Sequence, residues 1–334
     1  MNAPAFWRAP RPGAAARLLQ PVGALYGAIV ARRMRRPGAR PGAPVIVVGN
    51  FVAGGAGKTP VALEIARLLQ AEGERPAFVS RGYGGFRARD GALEAKGQSA
   101  ADIGDETLLL AEVAPTFVGA DRAAAAALAV DTVAPTALVL DDGLQSRRVE
   151  PDLALAVVDG ATGVGNGLCL PAGPLRAPLA AQLPLVQAVV VVGAGEAGAA
   201  VAAQAAKAGA KILRARLEPD PSARALAGQD VVAFAGIGLP DKFFRTLDEI
   251  GARIVARRAF PDHHPYRAAD IVELAELARA KNARLVTTRK DAMRLPALPE
   301  GAVAPLAIPV RIVFEDEDAV GALLADSLAR ARVR

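Results

Sequence analysis

Lys58 and Thr59 stand near the end of "VIVVGNFVAGGAGKTP", residues 45–60. A lysine and a hydroxyl behind a run of glycines form a residue set that can hold the phosphates of a nucleotide. Gly54, Gly55 and Gly57 leave backbone N–H groups open toward phosphate oxygens, Lys58 brings charge to the terminal phosphates, and Thr59 offers a hydroxyl to Mg²⁺. The candidate cradle is therefore Val52, Ala53, Gly54, Gly55, Ala56, Gly57, Lys58 and Thr59. The common spelling G-x-x-x-x-G-K-S/T has a glycine where Val52 stands. That departure removes little of the mechanism, because three glycines remain. Pro60 falls in the first helical turn, where its missing N–H costs little.

A bound nucleotide calls for magnesium, and magnesium calls for hard oxygen ligands. "TALVLDDGLQ" ends an apolar run in Asp141 and Asp142, the form of a Walker B element, so Thr59, Asp141 and Asp142 are the candidate metal side. "GDETLLLAE" opens a helix at Asp105. That aspartate is either a plain N-cap or a carboxylate able to take the proton of an attacking hydroxyl. The two histidines of the chain are adjacent in "FPDHHPY" at 260–266. A structural role for one and proton handling by an Asp262–His263 pair both fit, and spacing does not choose between them.

These side chains need elements to hold them. "VIVVGN", "PAFVS", "TFVG", "TALVLDD", "LALAVVD" and "AVVVVG" read as short buried strands, and "TPVALEIARLLQAEG" reads as a helix ended by Gly73. Strands alternating with helices predict an α/β protein with a doubly wound, mostly parallel sheet of the P-loop NTPase kind, whose ligands sit at the carboxyl ends of the strands. A composition shift at 217–230 marks an edge. Beyond it, "VVAFAGIG", "ARIVARRAF" and "RLVTT" alternate with helical segments and predict a second, smaller α/β domain. The expected division is a basic N-terminal segment at 1–40, a P-loop kinase domain at 44–216 and a C-terminal α/β domain at 222–334.

With 334 residues, 52% of them hydrophobic, the chain can bury a large core, which excludes a disordered or fibrous protein. Its net charge of +6 is unevenly placed. The first 40 residues hold eight arginines and no acid, so the remaining chain is slightly acidic. This argues against a nucleic-acid groove and for a local contact with an anionic surface. Between the arginines lie 14 mostly apolar residues, "LLQPVGALYGAIVA", too short to cross a bilayer and weakened as a continuous helix by Pro21, Gly23 and Gly27. Arg32-Arg33-Met34-Arg35-Arg36 follows where a signal peptide would have small residues. Two readings stand level on composition. One is an amphipathic segment on the inner, anionic face of a membrane, with Phe6, Trp7 and Tyr26 as anchors, and the other is an ordinary helix packed on its own domain. The lone Cys169 excludes an internal disulfide.

In order, "VVGNFVAGGAGKTP", "SRGYGG", "GDE", "DDGLQ", "GNGLCLPAGPLR", "AFAGIGLPDKFF", "FPDHHPY" and "TTRKDAMRL" resemble the tetraacyldisaccharide 4′-kinases, the lipid A kinases of Gram-negative bacteria. The resemblance runs from the N-terminal arm to about residue 295. It implies transfer of the γ-phosphate of ATP to the 4′-hydroxyl of an acylated glucosamine disaccharide 1-phosphate, giving lipid IVA. It also implies dependence on Mg²⁺, a two-domain α/β architecture and peripheral attachment to the cytoplasmic face of the inner membrane. A monomer is expected. Matched position by position, the resemblance puts Lys58 and Thr59 in the phosphate loop, Asp141 and Asp142 on the metal side and Asp105 as base, with His263 after Asp262 supporting it. Arg122 of "GADR" matches a basic position near the phosphates. Arg81, Tyr83, Gln145 and Arg176 match positions on the substrate side, within or beside "SRGYGG", "DDGLQ" and "GPLR". Two departures are Ser146, where many members have His, and Ala177, where many have Glu.

The main rival is a membrane-associated P-loop ATPase switch of the partitioning or site-selection type, whose loops also read G-G-x-G-K-T. Those proteins carry a signature lysine before the paired glycines. Here that position is Ala53. A membrane scaffold with a degenerate nucleotide site is opposed by the intact Lys58, Thr59, Asp141 and Asp142.

Overall fold

A computed structural model describes residues 4–55, 57–298 and 303–334. The strands are β1 (Val45–Asn50), β2 (Pro76–Ser80), β3 (Leu93–Glu94), β4 (Thr116–Val118), β5 (Ala137–Asp141), β6 (Leu153–Asp159), β7 (Ala188–Val192), β8 (Lys211–Pro219), β9 (Asp230–Ala235), β10 (Arg253–Ala259), β11 (Arg284–Thr288), β12 (Leu306–Ile308) and β13 (Val310–Phe314). Nine of them form one sheet in the order β13-β8-β7-β6-β1-β5-β2-β4-β3, and four form a second sheet in the order β10-β9-β11-β12. In the large sheet only β13 and β3 run antiparallel to their neighbours. The second sheet is parallel throughout.

The continuous apolar runs became the central strands because they are covered on both faces. Alternation along β1 sends Val45 and Val47 into one core with Val30, Met34, Ala125 and Val201, from the helices Ala14–Met34, Arg122–Val133 and Glu196–Lys207. Ile46 and Val48 enter the opposite core with Val61 and Ile65 of the helix Lys58–Ala71 and Val320 and Leu324 of the helix Glu317–Arg332. The β1–β5 register pairs Val48 with Asp141, which sets that carboxylate beside the start of the phosphate loop.

The structure differs from the sequence reading at two places. The expected C-terminal domain took in all of 222–334, but β13 pairs antiparallel with β8, Phe314 opposite Ala215, and returns the chain to the large sheet. The closing helix then seals the core on the Ile46 and Val48 face of the large sheet with Val320, Leu324 and Leu328, so the second sheet's domain stops near residue 309. The arm also differs. Ala14–Met34 is one unbroken 21-residue helix that runs through Pro21, Gly23 and Gly27. The glycines are there for close approach: a Cβ on Gly23 would stand 2.6 Å from the Cys169 carbonyl oxygen, and one on Gly27 2.7 Å from Cys169 Sγ. Trp7, expected to be an interfacial anchor, is instead tied to the body. Its Nε1 donates to the Pro171 carbonyl, and its own carbonyl accepts from Asn166 N.

Candidate active site

The phosphate loop leaves β1 at Asn50 and enters the helix at Lys58. Gly54 (φ +111°) and Gly57 (φ +83°) take left-handed backbone that favours glycine, and a Cβ at either would meet nothing within 4 Å, so the space above the loop is open. Val52 needs no such freedom. It bridges antiparallel to Leu175, Ala53 N donates to the Pro174 carbonyl at 2.7 Å, and Arg176 Nε donates to the Val52 carbonyl at 3.0 Å. Cross-pairing to 174–176 thus fixes the start of the loop where other phosphate loops use a glycine. Ala56 lies outside the described residues.

Lys58 is held loosely, with Nζ 3.5 Å from the Gly54 carbonyl and 4.0 Å from Asp142 Oδ1. Thr59 Oγ1 donates to Asp141 Oδ2 at 2.9 Å. Burial, with the charge of Glu106 adding to it, pushes the Asp141 carboxyl up to about 7. Its other oxygen, Oδ1, is buried with no hydrogen-bond partner among the described residues. An orphaned carboxylate oxygen beside the phosphate loop suits a hard cation, whose charge would restore ionisation. Among the described residues no three His, Cys, Asp or Glu side chains gather as a metal cage. Asp142 is engaged differently. Arg176 Nη1 donates to both its oxygens at 2.8 and 3.0 Å, and Arg122 Nη2 donates to its backbone carbonyl at 2.6 Å. Burial opposes ionisation of Asp142, but the charges of Lys58, Arg176 and Arg122 outweigh it and hold the group below its ordinary value.

Asp105 opens the helix Asp105–Ala111 and is 3% exposed. Its Oδ1 accepts from Glu106 N at 2.9 Å, a local contact within the first turn; the N-cap position itself is Gly104, so Asp105 is not the plain N-cap that the sequence allowed. Its Oδ2 faces the second domain: His263 Nδ1 lies 3.2 Å away and Arg294 Nε 3.1 Å away. Burial favours the neutral acid, but His263, Lys290 and Arg294 together overcome it and leave the carboxyl below its usual value. Asp105 is thus both a helix start and a charged group aimed across the domain boundary. His263 adopts a left-handed φ of +56° and is fixed by its N–H to the Gly236 carbonyl. Its Nε2 is 3.4 Å from Lys290 Nζ and 3.9 Å from Asp262 Oδ1, and its ring leans on that of the exposed Tyr83, centroids 5.8 Å apart.

The structure therefore joins Lys58, Thr59, Asp141, Asp142, Arg122 and Arg176 around the loop, and Asp105, His263, Asp262 and Tyr83 beside it. Arg81 is exposed, close enough for its charge to act on Arg122. Gln145 joins the first group through Arg176, whose Nη1 donates to its Oε1 at 3.4 Å. It is buried behind the loop, donating to the Asn50 carbonyl at 2.6 Å and to Gln182 Oε1 at 2.8 Å. At the departures, Ser146 Oγ donates to the Gly143 carbonyl and Ala177 is fully buried, its carbonyl accepting from Gln182. Glu106, Lys290 and Arg294 were missed by the sequence reading. Lys290 Nζ donates to Glu106 Oε1 at 2.9 Å across 184 residues of chain. The one hint was "TTRKDAMRL", which sets two cations four residues apart.

The backbone just before Asp105 is also constrained. Gly104 has φ +85°, and a Cβ there would stand 2.2 Å from the Tyr83 carbonyl oxygen. Gly104→Ala is expected to lower stability by about 1–3 kcal/mol and to move the carboxylate, so that kcat falls while ATP affinity holds. Thermal unfolding and steady-state kinetics on one preparation check this, and an unchanged kcat would show that the helix start can shift without moving Asp105.

The family model described as tetraacyldisaccharide-1-P 4′-kinase matches residues 15–329. Among similar proteins, the tetraacyldisaccharide 4′-kinase of Methylobacterium nodulans is 53% identical over 98% of this chain and 96% of its own length. One from Methylorubrum extorquens is 52% identical over 99% of this chain and all of its own. In fold, the chain is similar to the crystal structure of the "apo" form of LpxK from Aquifex aeolicus in complex with ATP, with a TM-score of 0.73, 24% identity and 94% and 99% of the two chains covered. A phosphate loop after β1, paired aspartates at the end of β5 and a carboxylate shared with a second domain are the parts a sugar kinase needs, and with these matches the chain belongs to the tetraacyldisaccharide-1-P 4′-kinase family.

Proposed function

We propose that the chain transfers the γ-phosphate of ATP to the 4′-hydroxyl of tetraacyldisaccharide 1-phosphate, giving lipid IVA, with Asp105 as the base. The observation that carries this reading is the buried, ionised Asp105 held between His263 and Arg294 beside the phosphate loop. A switch that only hydrolyses ATP has no need of a carboxylate gripped in this way by groups from a second domain. Backbone N–H groups of the loop and the Lys58 ammonium hold the phosphates, and Arg122 and Arg176 add positive charge on the Asp142 side. Thr59, Asp141 and Asp142 would hold Mg²⁺, which when bound offsets phosphate charge. Asp105 takes the proton of the 4′-hydroxyl as the hydroxyl oxygen bonds to the γ-phosphorus and the bond from that phosphorus to ADP breaks, and His263 keeps the accepting carboxylate in line. Tyr83 and Arg81 lie exposed on the same side, where a disaccharide would rest. The direct test is label from γ-labelled ATP appearing in the lipid product. Rapid ATP hydrolysis that ignores the lipid disaccharide, with no labelled lipid, would return the ATPase switch.

Attachment to the cytoplasmic face of the inner membrane is part of the same proposal. By length and composition the helix Ala14–Met34 could cross a bilayer. However, its small face, Ala16, Gly23, Gly27, Val30 and Met34, is buried on the protein. The opposite face exposes Leu18 (82%), Val22 (56%), Leu25 (65%) and Ile29 (62%) at spacings of four, three and four, a helical stripe with its large residues outward. Exposed Arg17, Arg32, Arg33 and Arg36 flank it. The reading is a helix lying along an anionic surface with the stripe in the lipid, which unites the two sequence readings of the arm. Replacing Leu25 and Ile29 with Glu is expected to weaken binding to phosphatidylglycerol-containing vesicles by about tenfold or more. The unfolding temperature should stay as it is, since neither side chain is packed. Undiminished vesicle binding would place the contact elsewhere.

A further inference from the structure

Resting on the reading of Asp105 as the base, we infer that Arg294 is a positioning residue for the reaction: its guanidinium, fixed by buried Asp291, holds the Asp105 carboxylate in line from the second domain. The geometry is that of a clamp between two carboxylates. Arg294 Nε lies 3.1 Å from Asp105 Oδ2, while Nη2 donates to Asp291 Oδ1 and to the Gly236 carbonyl at 2.9 Å. Nη1 donates to the His264 carbonyl at 3.3 Å, and the guanidinium carbon stands 5.6 Å from the centroid of the Tyr266 ring.

Asp291 is itself immobile. It is fully buried, and it accepts from Gly236 N at 3.0 Å, the Tyr266 hydroxyl at 2.9 Å and Thr288 Oγ1 at 2.5 Å. A rigid acid thus orients a rigid cation, and the cation orients the base. Among the described residues neither Arg294 Nε nor Asp105 Oδ2 has an aligned hydrogen bond. Asp105 Oδ1 is committed to Glu106 N. Oδ2 is buried between His263 Nδ1 and Arg294 Nε, and the charge of Arg294 fixes where it lies.

Arginine suits this place better than lysine. It cannot give up its proton at any working pH, so it never competes with Asp105 as a base, and its planar fork reaches two carboxylates at once. The groups facing Asp105 are His263 from the loop after β10, Lys290 and Arg294 from the segment after β11, and Glu106 on its own helix; Asp262 stands behind His263. Lys290 pairs with Glu106 and Arg289 with Glu112 on the same two segments, so of the three cations Arg294 is the one within ion-pair distance of the base, while Lys290 acts on it from farther away.

The test compares Arg294→Gln and Arg294→Lys in the full-length enzyme, with ATP affinity and Asp105→Asn measured alongside. Activity is lost as pH falls through the pKa of a base that must be ionised, and the surrounding cations hold the Asp105 carboxyl low. Arg294→Gln is expected to move the acid limb of the kcat profile upward by about one pH unit and to cut kcat by roughly tenfold or more, with KM for ATP unchanged. Arg294→Lys should leave the limb in place but still lose kcat, because the charge returns without the fork. An acid limb that does not move in a folded, ATP-binding Arg294→Gln enzyme overturns the inference. So does Arg294→Lys with wild-type kcat, and that variant decides alone where the glutamine form does not fold. Asp105→Asn separates the two levels: full activity there removes the base reading itself, whereas an inactive Asp105→Asn beside an unmoved Arg294→Gln limb removes only the role given to Arg294.

Discussion

An enzyme carrying Lys58→Ala is expected to lose phosphoryl transfer by roughly 10³-fold or more, to the limit of detection in a label-transfer assay. The loop is arranged so that little else can take over. The side chain of Lys58 is 12% exposed, and its two neighbours, the Gly54 carbonyl and Asp142, stand at 3.5 and 4.0 Å, distances at which neither holds the ammonium firmly. A lysine so placed can turn to a phosphate oxygen with little loss. Removing it also leaves Asp142 with Arg176 and Arg122 as its remaining close cations, so negative charge near the reacting phosphate is less well compensated. The fold should survive, because the helix that starts at Lys58 is anchored by Val61, Ile65 and Leu69 in the core. Retention of near-normal turnover by a folded Lys58→Ala protein would refute the assignment of the loop.

Asp105→Asn is expected to cut kcat by roughly 10²-fold or more while ATP still binds. The substitution is nearly isosteric, and asparagine can still accept from Glu106 N, so the helix start is kept. What is lost is the charge that meets His263 and Arg294, and with it the ability to take a proton. Loss of the buried charge beside Arg294 should cost stability by about 1–3 kcal/mol, readable in thermal unfolding apart from the kinetics. Product formation at saturating ATP and lipid checks the first number. A rate equal to that of the unsubstituted enzyme would reassign the proton to another group, with His263 the nearest.

How far these parts could be read from the sequence follows from how local each one is. The strands β1, β2, β5, β6 and β7 were visible because a strand buried on both faces must be apolar at every position, and "VIVVGN" or "AVVVV" has few other uses. β8 and β13 were not. "KILRARLEP" alternates exposed charge with buried Leu213 and Ala215, as an outer strand does, and its end falls in the composition shift at 217–230 that marked only an edge. The phosphate loop was legible because its chemistry lies within eight consecutive residues. The opposite holds for the surroundings of Asp105. Its neighbours come from residues 263, 290 and 294, and a lysine or arginine that far along the chain looks like any solvated cation until the fold brings it across. Pro21, Gly23 and Gly27 misled for a related reason. In a free helix they weaken the element, whereas against the loop carrying Cys169 the glycines let two backbones approach, and packing outweighs propensity.

The pairing of β8 with β13 has a consequence for the gene. Asp220 N donates to the Pro309 carbonyl at 2.9 Å, so the two points at which the chain leaves and rejoins the large sheet are side by side. The second sheet is thus an insertion into a nucleotide-binding host, not a module appended to its end. A protein cut after residue 216 would lack the edge strand Val310–Phe314 and the helix that covers Ile65 and Leu69. Joining 219 to 310 through a short turn would keep the host intact and delete His263 and Arg294 together, leaving a protein that could hold ATP and have nothing to do with it.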